Sequence, residues 1–129
     1  MSNLDKKSII GIAALLVHAA KIDEQFSDQE KTLIKKFIKT YLKDNDDNEI
    51  LKQAEEIEKN SNQLLNFTNI IKKVSLEIKS NIIEILWKII ISDNAIDQYE
   101  SNLMRRVCGL IYFPDKMSAE IKLKLINNK

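Results

Sequence analysis

The sequence predicts an all-α fold, a single-domain bundle of about seven helices that contains an internally duplicated helix-turn-helix unit. Three observations carry this expectation. Two Gly and one Pro in 129 residues leave few helix breakers. Apolar residues recur at spacings of three and four along most of the chain. One pattern of turn and cap residues occurs twice, with Asp93 standing 70 positions after Asp23. With 44% hydrophobic and 30% charged residues the composition is that of a globular chain, and its length is enough to bury one core.

The elements follow in order. Ile9, Ile12, Ala13, Leu16, Ala19 and Ala20 line one face of a first helix running from Leu4 to Ile22. Asp23-Glu24-Gln25-Phe26 breaks it. Ser27 with Glu30 three residues later forms a capping box for the second helix, and Phe26 is placed as its hydrophobic staple. Leu33, Ile34, Phe37, Ile38 and Tyr41 turn inward along that helix, which ends near Lys43. After the turn-rich stretch from Asp44 to Asn48, Ile50, Leu51, Ala54 and Ile57 mark a short third helix expected to be exposed on most faces. Leu64, Leu65, Phe67, Ile70, Ile71 and Val74 mark a fourth, and Ser75 caps a fifth. The fifth helix, from Leu76 to Ser92, is apolar on nearly every side, so it is expected to be the central, buried element. Asp97 and Glu100 repeat the capping arrangement ahead of a sixth helix that reaches Ile111. Pro114 interrupts, and Ser118 opens a last helix carrying Ile121, Leu125 and Ile126.

The duplicated units span about 4–43 and 76–112 within one domain over residues 1–129. Phe26 meets Ile96, Ser27 meets Asp97, Glu30 meets Glu100 and Leu33 meets Leu103, so the shared pattern reads D-x-x-[FI]-[SD]-x-x-E between two helices. The stretches AALLVHAAKIDEQFSDQEKTLI and EILWKIIISDNAIDQYESNLMRRV resemble the tellurite-resistance TerB-like family over essentially the whole chain. In that family Gly often follows each Asp; here Glu24 and Asn94 take those places. Asn tolerates a left-handed backbone and Glu does so at a cost, so the first turn is expected to differ in shape. The resemblance implies an all-helical cytoplasmic module associated with tellurite and chemical-stress resistance, with paired acidic residues as a cation site, and it implies no known reaction.

Several function classes lack support in the residues. Lys and Arg total 20 against 19 Asp and Glu, a net charge of +1, which gives no long-range field for a polyanion. The Lys35-Lys36 and Arg105-Arg106 pairs read as solvated faces, and nucleic acid is not an expected partner. Two separated glycines, Gly11 and Gly109, cannot build a phosphate-binding loop, and no Ser-His-Asp or Cys-His arrangement is suggested. The single cysteine, Cys108, lies in an apolar helical run and reads as a buried, inert thiol of a reducing compartment. His18, aligned with Lys88, reads as a partly exposed helix position rather than a zinc ligand. Trp87 reads as a core residue whose indole N–H finds a carbonyl. Lys6 and Lys7 before the apolar run from Ile9 to Val17 look like a signal peptide, but the run passes straight into an acidic turn and the layout recurs inside the chain. The run from Ile82 to Ile91 is too short, and too interrupted by Glu84 and Lys88, to be a transmembrane segment.

The acidic residues are left with two readings. Glu30 and Glu100 occupy capping-box positions at the favourable end of a helix dipole, with Ser27 and Asp97 as the caps. Asp23 and Asp93 sit at the unfavourable carboxyl end of the preceding helix, so something must offset their charge. Either each folds back on the N–H groups of its own turn, or Asp23, Glu30, Asp93 and Glu100 together hold Ca²⁺ or Mg²⁺. The expected function is a non-enzymatic stress-response or interaction module with unidentified protein partners; the alternative is a cation-dependent hydrolase using the same Asp/Glu cluster.

Overall fold

A computed structural model describes residues 6–21, 28–42, 46–60, 69–91 and 98–127, with the side chains of 98–101 excepted. Among these, all regular structure is helical: α1 (Lys6–Ala20), α2 (Asp28–Tyr41), α3 (Asp47–Lys59), α4 (Leu76–Ile91), α5 (Gln98–Leu110) and α6 (Asp115–Asn127), with a short helical piece at 69–71. This is the all-α bundle that the spacing predicts. No described helix is long and apolar enough to cross a membrane.

α1 and α4 pack on each other in the middle. α2 and α3 cover α1, α5 and α6 cover α4, and α2 reaches across to α4. The core draws on both halves: Ile9, Ile12, Leu16 and Val17 of α1 meet Ile34, Ile38, Ile82, Ile83, Leu86 and Ile90 in one continuous cluster. Helix ends follow local chemistry. Asp46 caps α3, its carboxylate accepting from the Asn48 N–H at 3.0 Å, and Ser75 caps α4, its Oγ accepting from the Ile78 N–H at 3.3 Å. α6 begins at Asp115 rather than at Ser118, since the Pro114 carbonyl already accepts the Ser118 N–H. A proline just before the first turn loses no hydrogen bond that a helix start would have made.

Two expectations change. α1, not α4, is buried nearly all round: eleven of its 15 residues are buried against nine of 16 in α4. In α4 the stripe Asn81, Glu84 and Ile85 is half-buried and Lys88 is exposed, whereas the same positions of α1 carry Gly11, Ala14, Leu15 and His18. Small and apolar residues there let neighbours close over α1; an added Cβ at Gly11 would lie 2.7 Å from Ile70 Cδ1. α3 is exposed or half-buried over most of its residues, as expected, with Ile50, Leu51 and Ala54 buried against α1 and α2, but Ile57 faces solvent at 43% exposure. At about 100° per residue, Glu58 falls nearer the centre of the Ile50, Leu51 and Ala54 face than Ile57 does.

Helix ranges recur along the chain. Moving α1 and α2 forward by 70 positions gives 76–90 and 98–111, within one residue of α4 and α5. Buried positions recur with them: Ile9, Ile12, Ala13, Leu16 and Val17 fall on Lys79, Ile82, Ile83, Leu86 and Trp87, all buried.

Candidate functional site

Of the four acidic positions singled out by the sequence, Asp23 and Asp93 lie outside the described residues, as do the caps Ser27 and Asp97. Glu30 is the third residue of α2 and is completely buried. Glu100 is the third residue of α5. A carboxylate removed from water within a helix's first turn gains from the dipole and needs hydrogen bonds or a cation around it. Capping and cation binding both place a glutamate there. Among the described residues no three His, Cys, Asp or Glu side chains come together as a metal site.

The histidine and the cysteine sit in unrelated places. His18 Nδ1 is 3.2 Å from Glu58 Oε2, and Lys21 Nζ is 3.3 Å from Glu58 Oε1, so the carboxyl ends of α1 and α3 are clasped by one glutamate. The Lys21 ammonium, just past the end of α1, also complements the helix dipole. Cys108 is buried on α5. Desolvation pushes its thiol above the ordinary value, a hydrogen bond with Ser118 pulls it back, and the nearby Asp115 carboxylate adds to the rise. An inert thiol is what that environment produces. The Trp87 indole N–H donates to Ser118 Oγ at 2.9 Å, not to a carbonyl, so one small hydroxyl serves both Trp87 and Cys108 at the α4, α5 and α6 junction.

Three concavities are formed by described residues. A groove of about 290 Å³ runs between α2 and α4, with Leu33, Phe37 and Ile85 as its apolar lining and Lys36, Glu84 and Lys88 as its charged groups. Asn81 Nδ2 of α4 donates to the Tyr41 hydroxyl of α2 at 3.0 Å and fixes the two walls, and the Tyr41 ring packs on Phe37 with centroids 5.0 Å apart. A second concavity of about 610 Å³ is lined by Trp87, Arg105, Asp115 and Lys122, the last with its ammonium 5.1 Å from the Trp87 ring centroid. A third, about 450 Å³, lies along α3 beside Asp46, Glu49 and Glu56. Glu30 lines none of these three. Sequence reasoning treated Lys36 as part of a solvated face and Lys88 only as the aligned partner of His18. Their shared groove depends on α2 packing against α4, and no local pattern reports that.

The family model described as tellurite resistance protein TerB matches residues 10–123. The chain belongs to that family. Neither the curated proteins nor the solved structures compared with it give a match. The TerB match takes in all four acidic positions, both helices of the α2–α4 groove and the Trp87, Cys108 and Ser118 cluster.

Proposed function

We propose that this TerB-family chain is a non-enzymatic interaction module of a cytoplasmic stress response, with α1–α2 and α4–α5 as two copies of one unit. Its two acidic turns, through Asp23, Glu30, Asp93 and Glu100, hold one divalent cation that tunes the module. The observation that carries the reading is Glu30: a carboxylate completely out of solvent, in the first turn of the helix that follows Asp23 in the sequence. Burying that charge is costly unless donors or a cation surround it. Ca²⁺ and Mg²⁺ fit an all-oxygen ligand set, whereas zinc would draw on His and Cys. The placement of Glu100 as third residue of α5 supports a matching contribution from the second unit.

The rival reading, a cation-dependent hydrolase, needs a substrate pocket beside those acids. Of the three concavities described above, none is lined by Glu30, the one of the four acids whose side chain is described. Calorimetric titration of chelator-stripped protein tests the proposal. Saturable heat with Ca²⁺ or Mg²⁺, lost in Asp23→Asn/Asp93→Asn, is expected; absence of heat at millimolar concentrations of both ions would leave the acids as turn and cap residues.

A further inference from the structure

We propose that the α2–α4 groove docks an acidic amphipathic helix of a partner protein, in the way that α1 receives α3 within the chain. The argument begins with one stripe of residues seen twice. On α1, Gly11, Ala14, Leu15 and His18 form a face that is closed over: Ile70 approaches Gly11 so closely that a Cβ would lie 2.7 Å from it, and Glu58 of α3 reaches His18. Seventy positions later the same stripe is Asn81, Glu84, Ile85 and Lys88, and these four form the α4 wall of the groove. The described residues lining the groove come from α2 and α4 alone. The stripe that α3 and Ile70 meet on α1 is, on α4 and among the described residues, one wall of a groove.

The chemistry of the groove matches such an occupant. Leu33 on α2 and Ile85 on α4, both half-buried, line the groove beside the buried Phe37, an apolar contact able to receive a side chain from the apolar face of a helix. At about 290 Å³ the space falls just short of the range usual for small-molecule sites, and it suits a few inserted side chains. Lys88 stands where His18 stands on α1, and His18 takes the Glu58 carboxylate. Lys36 adds a second cation on the opposite wall, so the two lysines outnumber Glu84 and favour an acidic ligand. The Tyr41 hydroxyl accepts from Asn81 and can itself donate to an incoming acceptor. α3 itself shows the pattern required: Ile50, Leu51 and Ala54 on one face, Glu58 at its carboxyl end, and Asp47, Glu49, Glu55 and Glu56 around them.

The inference rests on reading the chain as an interaction module, but it involves none of the acidic turn residues, so it is tested in chelator. The probe is a lactam-stapled peptide with the sequence of residues 46–60, titrated into the ¹⁵N-labelled full chain. Saturable amide shifts centred on Phe37, Tyr41, Asn81 and Ile85 are expected, with affinity falling at least about tenfold in Lys36→Glu/Lys88→Glu, two exposed positions whose exchange leaves the fold intact. A peptide with its glutamates replaced by glutamine should bind correspondingly worse. No saturable shift at about millimolar peptide would overturn the proposal, as would shifts confined to Ala14, Leu15 and His18, which would mean exchange with the chain's own α3. Octanoate filling the groove more tightly than the peptide would also overturn it in favour of a small carboxylate. Failure here leaves any cation response of the acidic turns untouched, and the absence of a cation response leaves the groove untouched.

Discussion

Ser118→Ala is the most informative single change to the core. Ser118 and Trp87 are each 5% exposed, and the hydroxyl accepts the indole N–H at 2.9 Å. Removing the acceptor strands a buried donor, which costs about 1–3 kcal/mol. Alanine returns up to about 0.5 kcal/mol of helix propensity within α6. The expected net loss is therefore about 0.5–2.5 kcal/mol, read from urea unfolding followed by far-ultraviolet circular dichroism at unchanged m. Trp87→Phe deletes the donor together with the indole's packing, so it costs more by itself, but in that background Ser118→Ala has no indole N–H left to strand. The double-mutant cycle should give a coupling of about 1 kcal/mol. Additivity within about 0.3 kcal/mol would refute the claim that this hydrogen bond ties α6 to α4.

Other consequences are equally specific. Tyr112 ends α5 with φ of 60° and 72% exposure, while the Phe113 N–H reaches back to the Cys108 carbonyl at 2.8 Å. Tyr112→Gly should relieve a left-handed penalty of about 1–2 kcal/mol, less the extra chain entropy of glycine, and raise Tm by a few degrees; Tyr112→Ala should not. Glu58→Gln releases the half-exposed His18 and Lys21 and should cost under about 1 kcal/mol, less still in high salt. Because the folded Cys108 thiol titrates above its unfolded value, its contribution is complete below about pH 8.5 and is lost as pH rises further. Stability of the parent should thus fall more steeply on the alkaline side than that of Cys108→Ala, and a disulfide reagent should modify the native thiol only as fast as the protein opens.

The sequence made the helices legible because their signals are local. Ser75 shows as a cap, and the three- and four-residue spacing marks α2 and α5. Ile50, Leu51 and Ala54 identify the buried face of α3, but Ile57 misleads, since Glu58 turns under to meet His18 from 40 residues away. The ranking of α1 and α4 was hidden for a related reason. α4 is richer in large apolar side chains, yet Gly11 and Ala14 are what allow neighbours to enclose α1. Trp87 was recognisable as core while its partner was not, because Ser118 lies 31 positions away on another helix. In the acidic site, the repeated spacing pointed to Glu30 and Glu100, and Glu30 is the more deeply buried than any capping rule requires. The groove carries no local signature at all, since each wall alone is an ordinary amphipathic helix.

The central claim is that the paired acidic turns hold a divalent cation, and thermal melts of chelator-stripped protein at rising Ca²⁺ or Mg²⁺ test it most directly. A ligand bound only by the native state at a hundred times its Kd adds about 2.7 kcal/mol. For a domain of this length each kcal/mol is worth roughly 3–4 °C, so Tm should climb by roughly 8–11 °C in the parent and stay fixed in Asp23→Asn/Asp93→Asn. A parent Tm that does not move with either ion, or one that moves equally in the double variant, would contradict the account.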